Sequence, residues 1–313
     1  KDKNKELIPS ETISLKNKSL SHRISIWIRM NLFIPDARVG WYPYGLKEGK
    51  RIIKHYNPEA IITIGPPHST HLIGLKLSKL FNLQHIPVFI DPWVDIAYYR
   101  DFKRNSFTLK IDNYLEKKVM LNSGKAIFVT NAMKEDYIKK YPSINKKSFV
   151  LHWGYSEDEF SNFHNLTDKL PNSNDKKIIV HAGNIFDYQN PIPFWQEIKR
   201  RNDNGDKYGI KFIGTVSPCI KSEIERVGLA SNTEYLGFLN YKEMLYELFM
   251  ADFLLVCATE KRHLPGKLFE YLRTGKPIIA FGDDNLEMEN ILINANAGMV
   301  FKYKDNGAVF FDK

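Results

Sequence analysis

The sequence predicts an α/β protein with two domains, each built around a parallel sheet. Short apolar strands alternate with amphipathic helices along the chain. The alternation stops in a stretch rich in Ser, Asn, Asp and Lys, and then starts again. The chain has 313 residues, which is long for one hydrophobic core. We therefore expect a first domain over residues 1–153, a linker over 154–176 and a second domain over 177–313.

The first half is expected to hold four strands with helices between them. Residues 1–22 are polar and without a clear pattern. A cationic amphipathic helix follows from about His22 to Leu32, and it fits either a membrane surface or a core position. Strands are expected over 60–64, 88–90, 126–129 and 148–152, and further helices over 46–56, 69–81, 109–122 and 131–141.

The second half repeats this alternation. Strands are expected over 177–182, 210–214, 233–237, 252–256 and 278–281, with helices over 191–201, 221–227 and 242–250. Because the carboxyl ends of parallel strands face ligands in open sheets, the turn at Gly183 and Asn184 is able to approach a phosphate.

The last predicted helix carries the strongest functional signal. Pro265 suits the first helical position and Gly275 the end. Its buried stripe is expected to comprise Leu264, Leu268, Phe269 and Leu272, and its polar face Lys267, Glu270, Tyr271 and Thr274. Free N–H groups and Lys267 at a helix start can hold a phosphate, and Glu270 can accept hydrogen bonds from a ribose. A surface salt bridge between Lys267 and Glu270 is the alternative.

Loops at strand ends of the first half are further candidates. Residues 65–69 place His68 at a helix start and could hold a hydroxyl or a phosphate, or form a plain turn. Asp91 and Trp93 follow the next strand; they could grip a sugar, or serve as a helix cap and a packing residue. Arg38 lies in a turn-rich loop for which we favour a structural role.

The charge distribution and the absence of certain motifs limit the classes of function that this protein can have. Residues 1–150 hold 26 Lys and Arg against 13 Asp and Glu, whereas the remainder holds 19 against 23. The basic half suggests a nucleic acid, a phospholipid surface or a phosphorylated acceptor as partner, but no nucleic-acid recognition helix is visible. No metal, Walker or serine-hydrolase motif occurs, so no metal is expected. Cys219 and Cys257 are expected to be buried small residues in a reducing, cytoplasmic compartment.

Several segments together resemble one enzyme family. In the second half these are Gly183 and Asn184, followed by residues 235–244, 251–256, 265–272 and 275–277. In the first half they are residues 31–38, 65–69, 71–74 and 91–93. This combination resembles glycosyltransferase family 4, of the GT-B fold, in a bacterial branch that acts in surface polysaccharide assembly. The resemblance implies two Rossmann-like domains whose parallel sheets face each other across a cleft.

The resemblance implies a retaining glycosyltransferase (EC 2.4 type) without a metal or other cofactor. Its substrates would be a UDP- or GDP-linked sugar and a saccharide or polyprenyl-linked acceptor, at the cytoplasmic face of the membrane. The basic first half supports contact with an anionic membrane surface. The implied catalytic residues are Lys267, Asp91 and His68. The implied donor-binding residues are Gly183, Asn184, Gly237, Phe238, Pro265, Gly266, Lys267 and Glu270. The implied acceptor side comprises Gly65, Ser69, Trp93 and Arg38.

The chain also departs from the family pattern. The segment after Gly183 lacks the usual basic pair, so Lys267, with Arg262, would have to meet the phosphate charge. Arg262 stands where the family carries the first Glu of its paired glutamates, and Glu260 is out of register. The opening strand and the closing helix of the family are not recognisable. A sugar-nucleotide epimerase of the same fold and a non-catalytic nucleotide-binding relative therefore stay open as alternatives.

Overall fold

The computed structural model describes residues 20–96, 104–161, 176–258 and 260–312, and the chain divides into two units. Unit 1 ends at Leu151 and unit 2 begins at His152. Most of the predicted polar segment 1–22 and residues 162–175 of the predicted linker lie outside the described residues. Residues 157–161, also within the predicted linker, are helical.

Unit 1 is a four-stranded parallel sheet with helices. Its helices are α1 (Leu20–Asn31), α2 (Tyr42–Tyr56), α3 (Ser69–Phe81), α4 (Ser106–Asn122) and α5 (Asn131–Lys140). Its strands are β1 (Ala60–Gly65), β2 (Gln84–Phe89), β3 (Ala126–Phe128) and β4 (Ser148–Val150), in the spatial order β1-β2-β3-β4. Short 3₁₀ turns cover Val39–Trp41 and Pro142–Lys147.

The strand order determines which face of this sheet is covered. Right-handed crossovers that always step in one direction put α3, α4 and α5 on the same face. That face carries the core of unit 1, which includes Phe89, Phe128 and Met120. The opposite face exposes apolar side chains, with Ile62 63% and Ile64 55% accessible. Parallel sheets are usually covered on both faces, so this face is unusual.

Unit 2 is a six-stranded parallel sheet. Its strands are β5 (Lys177–Ala182), β6 (Tyr208–Ile213), β7 (Thr233–Gly237), β8 (Phe253–Cys257), β9 (Ile278–Phe281) and β10 (Gly298–Phe301). Its helices are α6 (Ile192–Asp203), α7 (Pro218–Arg226), α8 (Tyr241–Met250), α9 (Lys267–Thr274), α10 (Leu286–Asn294) and α11 (Ala308–Phe311), and 3₁₀ turns cover Asp187–Gln189 and Ala230–Asn232.

The strands of unit 2 run in the order β10-β9-β8-β5-β6-β7. The chain therefore builds outward from β5 on one side and returns to β5 on the other. As a result, α6 and α7 pack with one core cluster and α8, α9 and α10 with a second. The direction reverses between β5 and β8, which is where a ligand crevice forms in sheets of this kind.

Three expectations about unit 2 are corrected. The helix expected to start at Pro265 starts at Lys267, with Gly266 before it. Tyr271, expected on the polar face of that helix, is fully buried because its ring packs in the hydrophobic core of unit 2, where its hydroxyl accepts from a backbone N–H. Cys219 is exposed, since it lies in the first turn of α7 while Ile220 faces the core.

Candidate functional site

The candidate site of unit 2 forms where β5 and β8 separate. The two strands pair only at Ile179 with Phe253 and at Val180 with Leu254. After Val180 the backbones of β5 and β8 no longer pair, and side chains bind the backbone groups on either side of the gap between them. His181 Nδ1 lies 2.9 Å from the carbonyl oxygen of Leu255, Gln189 Nε2 donates to the carbonyl of Cys257 over 2.7 Å, and the N–H of Ala182 donates to Tyr271 Oη over 2.7 Å.

Lys267 places its amino group at this gap. It is the first residue of α9, which follows β8. Its Nζ lies 3.2 Å from His181 Nε2. A Cβ atom at Gly183 would lie 2.8 Å from the same Nζ, so the glycine leaves the space that the ammonium occupies. Burial lowers the pKa of Lys267 to about 8. A partly desolvated cation at a strand end is suited to an anionic ligand.

His181 is fully buried beside this lysine. Burial, reinforced by the positive charge of Lys267, holds the pKa of His181 well below its usual range. The imidazole is therefore neutral. Because Nδ1 faces the carbonyl oxygen of Leu255, the proton belongs on Nδ1, and Nε2 accepts a hydrogen bond from the Lys267 ammonium.

Glycines end the three neighbouring strands. Gly183, Gly214 and Gly237 follow or close β5, β6 and β7, and all three have positive φ values of 106°, 97° and 67°. The N–H of Gly214 donates to the carbonyl of Gly237 over 2.6 Å, and a Cβ at Gly214 would lie 3.0 Å from the backbone of Gly183. The missing Cβ makes room for Lys267 at Gly183 and for the neighbouring backbone at Gly214. At Gly237 nothing lies within 4 Å of a Cβ, so a ligand can approach the backbone closely there.

The other predicted donor residues surround this point in different ways. The side-chain oxygen of Asn184 accepts from the N–H of Thr215 over 3.1 Å, so it fixes the glycine turn. Glu270 accepts from Tyr241 Oη over 2.9 Å. Lys267 contacts His181 and Glu270 contacts Tyr241, so the two residues do not form the surface salt bridge that was the alternative from sequence. Phe238, beside Gly237, is largely exposed.

The residues around the start of α9 differ in exposure. Pro265 is buried, whereas Gly266 is exposed, and the ring of Trp153 lies 3.7 Å from a Cβ placed at Gly266. Arg262, expected to help Lys267, is paired with Glu260 through Nε and Oε1 at 3.0 Å. The charge of Arg262 is thus partly neutralised inside its own loop.

In unit 1, the predicted residues Gly65, His68, Ser69 and Trp93 come together at the carboxyl ends of β1 and β2. A Cβ at Gly65 would lie 2.5 Å from His71 Nε2 and 3.0 Å from His68 Nδ1, so the glycine admits both rings. His68 stacks on Trp93 with ring centroids 5.0 Å apart. Burial lowers the pKa of His68 to about 3, which keeps its ring neutral.

Trp93 is buried, and its Nε1 donates to the buried Asp112 over 2.6 Å. Of the two roles left open by the sequence, this placement favours packing, since neither face of the indole is open for a sugar. Asp91 is partly exposed. Arg38 is exposed, and its backbone N–H donates to Asp36 over 2.9 Å.

Asp36 was not predicted, yet it organises the loop before α3. Its carboxylate accepts from the N–H of Ser69 over 2.7 Å and from Ser69 Oγ over 3.1 Å. Trp41 Nε1 donates to Ser69 Oγ over 3.0 Å. Ser69 is consequently fully buried and its hydroxyl is engaged within unit 1.

Sequence reasoning also missed His181, Gln189 and Tyr271. A signal for the first exists, because His181 is a polar residue that follows three apolar ones near the end of its strand, two residues before Gly183. Gln189 and Tyr271 act through backbone groups of other elements, and spacing along the chain does not reveal such partners.

Comparison with known proteins assigns the fold. Residues 162–309 match the model of the family "Glycosyl transferases group 1". No curated protein sequence matches the chain. A sucrose-phosphate synthase from Thermosynechococcus elongatus is 15% identical with a TM-score of 0.59, and the match covers 88% of this chain and 68% of that one.

Two further solved structures have the same TM-score of 0.59. A glycosyltransferase from Rickettsia africae is 16% identical, with 87% of this chain and 69% of that chain covered. Anabaena HepE, solved in complex with UDP, is 12% identical, with 86% and 71% covered. UDP-N-acetylglucosamine 2-epimerases are also among the matching structures, so the fold alone does not separate transfer from epimerisation. The chain therefore has the GT-B fold, and a little under half of it, residues 162–309, matches the model of the glycosyl transferases group 1.

Proposed function

We propose that this protein is a retaining glycosyltransferase that transfers a sugar from a UDP- or GDP-linked donor to a saccharide or polyprenyl-linked acceptor in surface polysaccharide biosynthesis. The observation that carries the proposal is the position of Lys267. Its ammonium lies over Gly183 at the point where β5 and β8 separate. That point is the expected ligand crevice of the sheet.

The donor diphosphate would lie against the glycine-ended strands of unit 2. Lys267 would stabilise the negative charge that develops on the departing diphosphate, together with the positive end of the α9 helix dipole. The N–H groups of Leu268 and Phe269, expected from sequence to be free, donate to the carbonyls of Pro265 and Gly266. In retention by front-face attack, the donor phosphate accepts the proton of the acceptor hydroxyl. This route requires no pair of catalytic carboxylates of the glycosidase kind. Glu270 and Phe238 are proposed to contact the nucleoside.

The acceptor side is assigned to unit 1. His68 and Asp91 lie at the carboxyl ends of its strands, and Asp91 is partly exposed. Among the described residues, no helix is both long enough and apolar enough to cross a bilayer.

Helix α1 supports contact with a membrane surface. It exposes Leu20, Ile24 and Trp27, which share one helical face, and it carries Arg23 and Arg29. Exposed apolar side chains with flanking arginines suit the interface of an anionic membrane. Vesicle sedimentation tests this part of the proposal: wild-type protein should bind anionic vesicles, and Trp27→Glu should bind them less. Equal sedimentation of both proteins would contradict the proposal that α1 binds the membrane surface.

The central experiment measures nucleotide binding and transfer. We expect UDP or GDP to bind the wild-type protein, and Lys267→Met to weaken binding at least about tenfold, because a charge-assisted hydrogen bond is lost. Lys304→Met, at an exposed lysine of unit 2, is the matched control and should bind normally. Normal binding by Lys267→Met would show that the site is elsewhere.

Product analysis separates the alternatives. An epimerase converts a nucleotide sugar without any acceptor, whereas a transferase releases nucleoside diphosphate and forms a glycoside. Tight nucleotide binding with neither product, tested with candidate donors and acceptors, would instead favour a non-catalytic binding protein.

A further inference from the structure

We infer that His181 is a positioning residue: its Nε2 holds the amino group of Lys267 at the strand ends of β5 and β8. This inference rests on the proposed function, because it assigns a role within the same diphosphate site. His181 itself is placed behind Lys267 and is not expected to touch the donor.

The two ring nitrogens of His181 have distinct partners. Nδ1 lies 2.9 Å from the carbonyl oxygen of Leu255 in β8, and Nε2 lies 3.2 Å from Lys267 Nζ. The first contact sets the tautomer, which leaves the Nε2 lone pair directed at the lysine. The ring thereby joins three elements, since it belongs to β5, its Nδ1 binds β8 and its Nε2 binds α9.

Burial keeps this arrangement fixed. His181 is fully buried, so its ring has no space to rotate. The imidazole remains neutral, because burial first, and the neighbouring Lys267 ammonium second, lower the pKa of His181 well below its usual range. A neutral ring can accept a hydrogen bond from the ammonium, whereas an imidazolium could not.

The geometry leaves donors for a ligand. An ammonium has three N–H groups, and one of them is used by His181 Nε2. The other two remain for a ligand at the strand ends, because the missing Cβ of Gly183 provides the space in which the ammonium sits. A long, flexible lysine loses conformational entropy when a ligand fixes its position. Because His181 already holds the ammonium, the entropic cost of nucleotide binding is smaller.

Two substitutions separate the role towards Lys267 from the role in the fold. In His181→Asn, the amide can still donate to the Leu255 carbonyl, but it provides no acceptor at the Nε2 position. In His181→Gln, the longer amide provides an acceptor near the Nε2 position and loses the Leu255 contact. If His181 positions Lys267, nucleotide affinity depends on the acceptor near the Nε2 position. If His181 only supports β8, affinity depends on the donor to the Leu255 carbonyl.

We expect His181→Asn to bind UDP or GDP about tenfold more weakly than wild type, and His181→Gln to bind within about threefold of it. Isothermal titration gives the affinities, and thermal melts report whether each variant is folded. The opposite order, or wild-type affinity in both variants, would overturn the inference.

The positioning role can also be tested without a nucleotide, by measuring the pKa of Lys267. This test depends neither on the proposed function nor on the His181→Gln variant. Titration of Lys267 by ¹³Cε NMR should give a lower pKa in His181→Asn than in wild type, because the charged lysine loses its acceptor. An unchanged Lys267 titration would overturn the positioning role even if the protein binds no nucleotide. If wild type binds neither UDP nor GDP while the lysine titration does shift, the proposed function fails and the positioning role stands.

Discussion

The hydroxyl of Tyr271 accepts a hydrogen bond of 2.7 Å from the backbone N–H of Ala182. Tyr271 belongs to α9 and Ala182 is the last residue of β5, so the bond joins the helix that carries Lys267 to the strand that precedes Gly183. Both residues are buried. The N–H faces the gap where β8 no longer pairs with β5, so the tyrosine hydroxyl takes the place of a strand partner.

Removal of this hydroxyl should destabilise unit 2. Tyr271→Phe leaves the N–H of Ala182 buried without its partner, and we expect a loss of about 1–3 kcal/mol in the free energy of unfolding. Tyr246→Phe, at an exposed tyrosine of α8, should change it by less than about 0.5 kcal/mol. Urea denaturation measures both. Equal effects of the two substitutions would contradict the role assigned to the Tyr271 hydroxyl.

Substitution of Gly183 should impair both the fold and the site. Gly183→Ala adds a Cβ that would lie 2.8 Å from Lys267 Nζ, in a residue with a φ of 106°. We expect the variant to lose nucleotide affinity by at least about tenfold, because the lysine must leave its position. Calorimetric titration with UDP and GDP provides the measurement.

Gly205 supplies the control for this substitution. Its φ is 105°, and an added Cβ would meet nothing within 4 Å. Gly205→Ala therefore carries a similar backbone strain, of about 1–2 kcal/mol, without the contact with Lys267. A matching loss of nucleotide affinity in both variants would mean that strain, and not the contact with Lys267, explains the result for Gly183.

Nucleotide affinity should fall at alkaline pH. Burial lowers the pKa of Lys267 to about 8, and only the ammonium form attracts a diphosphate. Affinity should accordingly stay level between about pH 7 and 8 and then decrease by up to tenfold per pH unit. Titrations in buffers of different ionisation enthalpy should show proton uptake on binding above pH 8. Absence of this uptake would contradict the lysine assignment.

Unit 1 should lose stability in mild acid. Thr63 Oγ1 lies 2.8 Å from both His71 Nδ1 and His85 Nε2 inside unit 1. Burial lowers the pKa of His85 to about 4 and that of His68 to about 3. In the unfolded chain these histidines titrate near pH 6.5. The unfolded state therefore binds more protons below pH 6.5, and stability decreases as the pH falls from there towards 4 and 3.

Each such histidine contributes a slope of up to about 1.4 kcal/mol per pH unit. Urea midpoints from pH 7.5 to 5, followed by amide exchange within unit 1, would measure the decrease. His85→Gln retains an amide beside Thr63 without a titrating group, so its slope should be smaller by roughly one proton. An identical slope in this variant would exclude His85 as a source.

The strand and helix pattern was largely predictable because most elements of unit 2 bury apolar runs. β8 and β9 are almost wholly buried, and the sequence marks both clearly. β2 was predicted at 88–90 but spans Gln84–Phe89, since Gln84, His85 and Pro87 are untypical of a central strand. β10 lies beyond the last predicted element, and its four residues are all only partly buried.

The candidate site was predictable in part. Gly183 and Lys267 were named from sequence, and the structure brings them together. Their shared neighbour His181 is set by the divergence of β5 from β8, which is a property of the sheet and not of local spacing. Tyr271 was misplaced because helical periodicity describes which side a residue faces and not how far its hydroxyl reaches.

The depressed pKa of Lys267 also has a consequence for chemical reactivity. An ordinary lysine, with a pKa near 10.4, has almost no free amine at pH 7, whereas a lysine of pKa about 8 has roughly a tenth of its population in that form. A larger fraction of Lys267 than of an ordinary lysine is thus in the reactive amine form at neutral pH. Amine-directed reagents small enough to reach it would label it ahead of the exposed lysines, and a bound nucleoside diphosphate would protect it by raising its pKa.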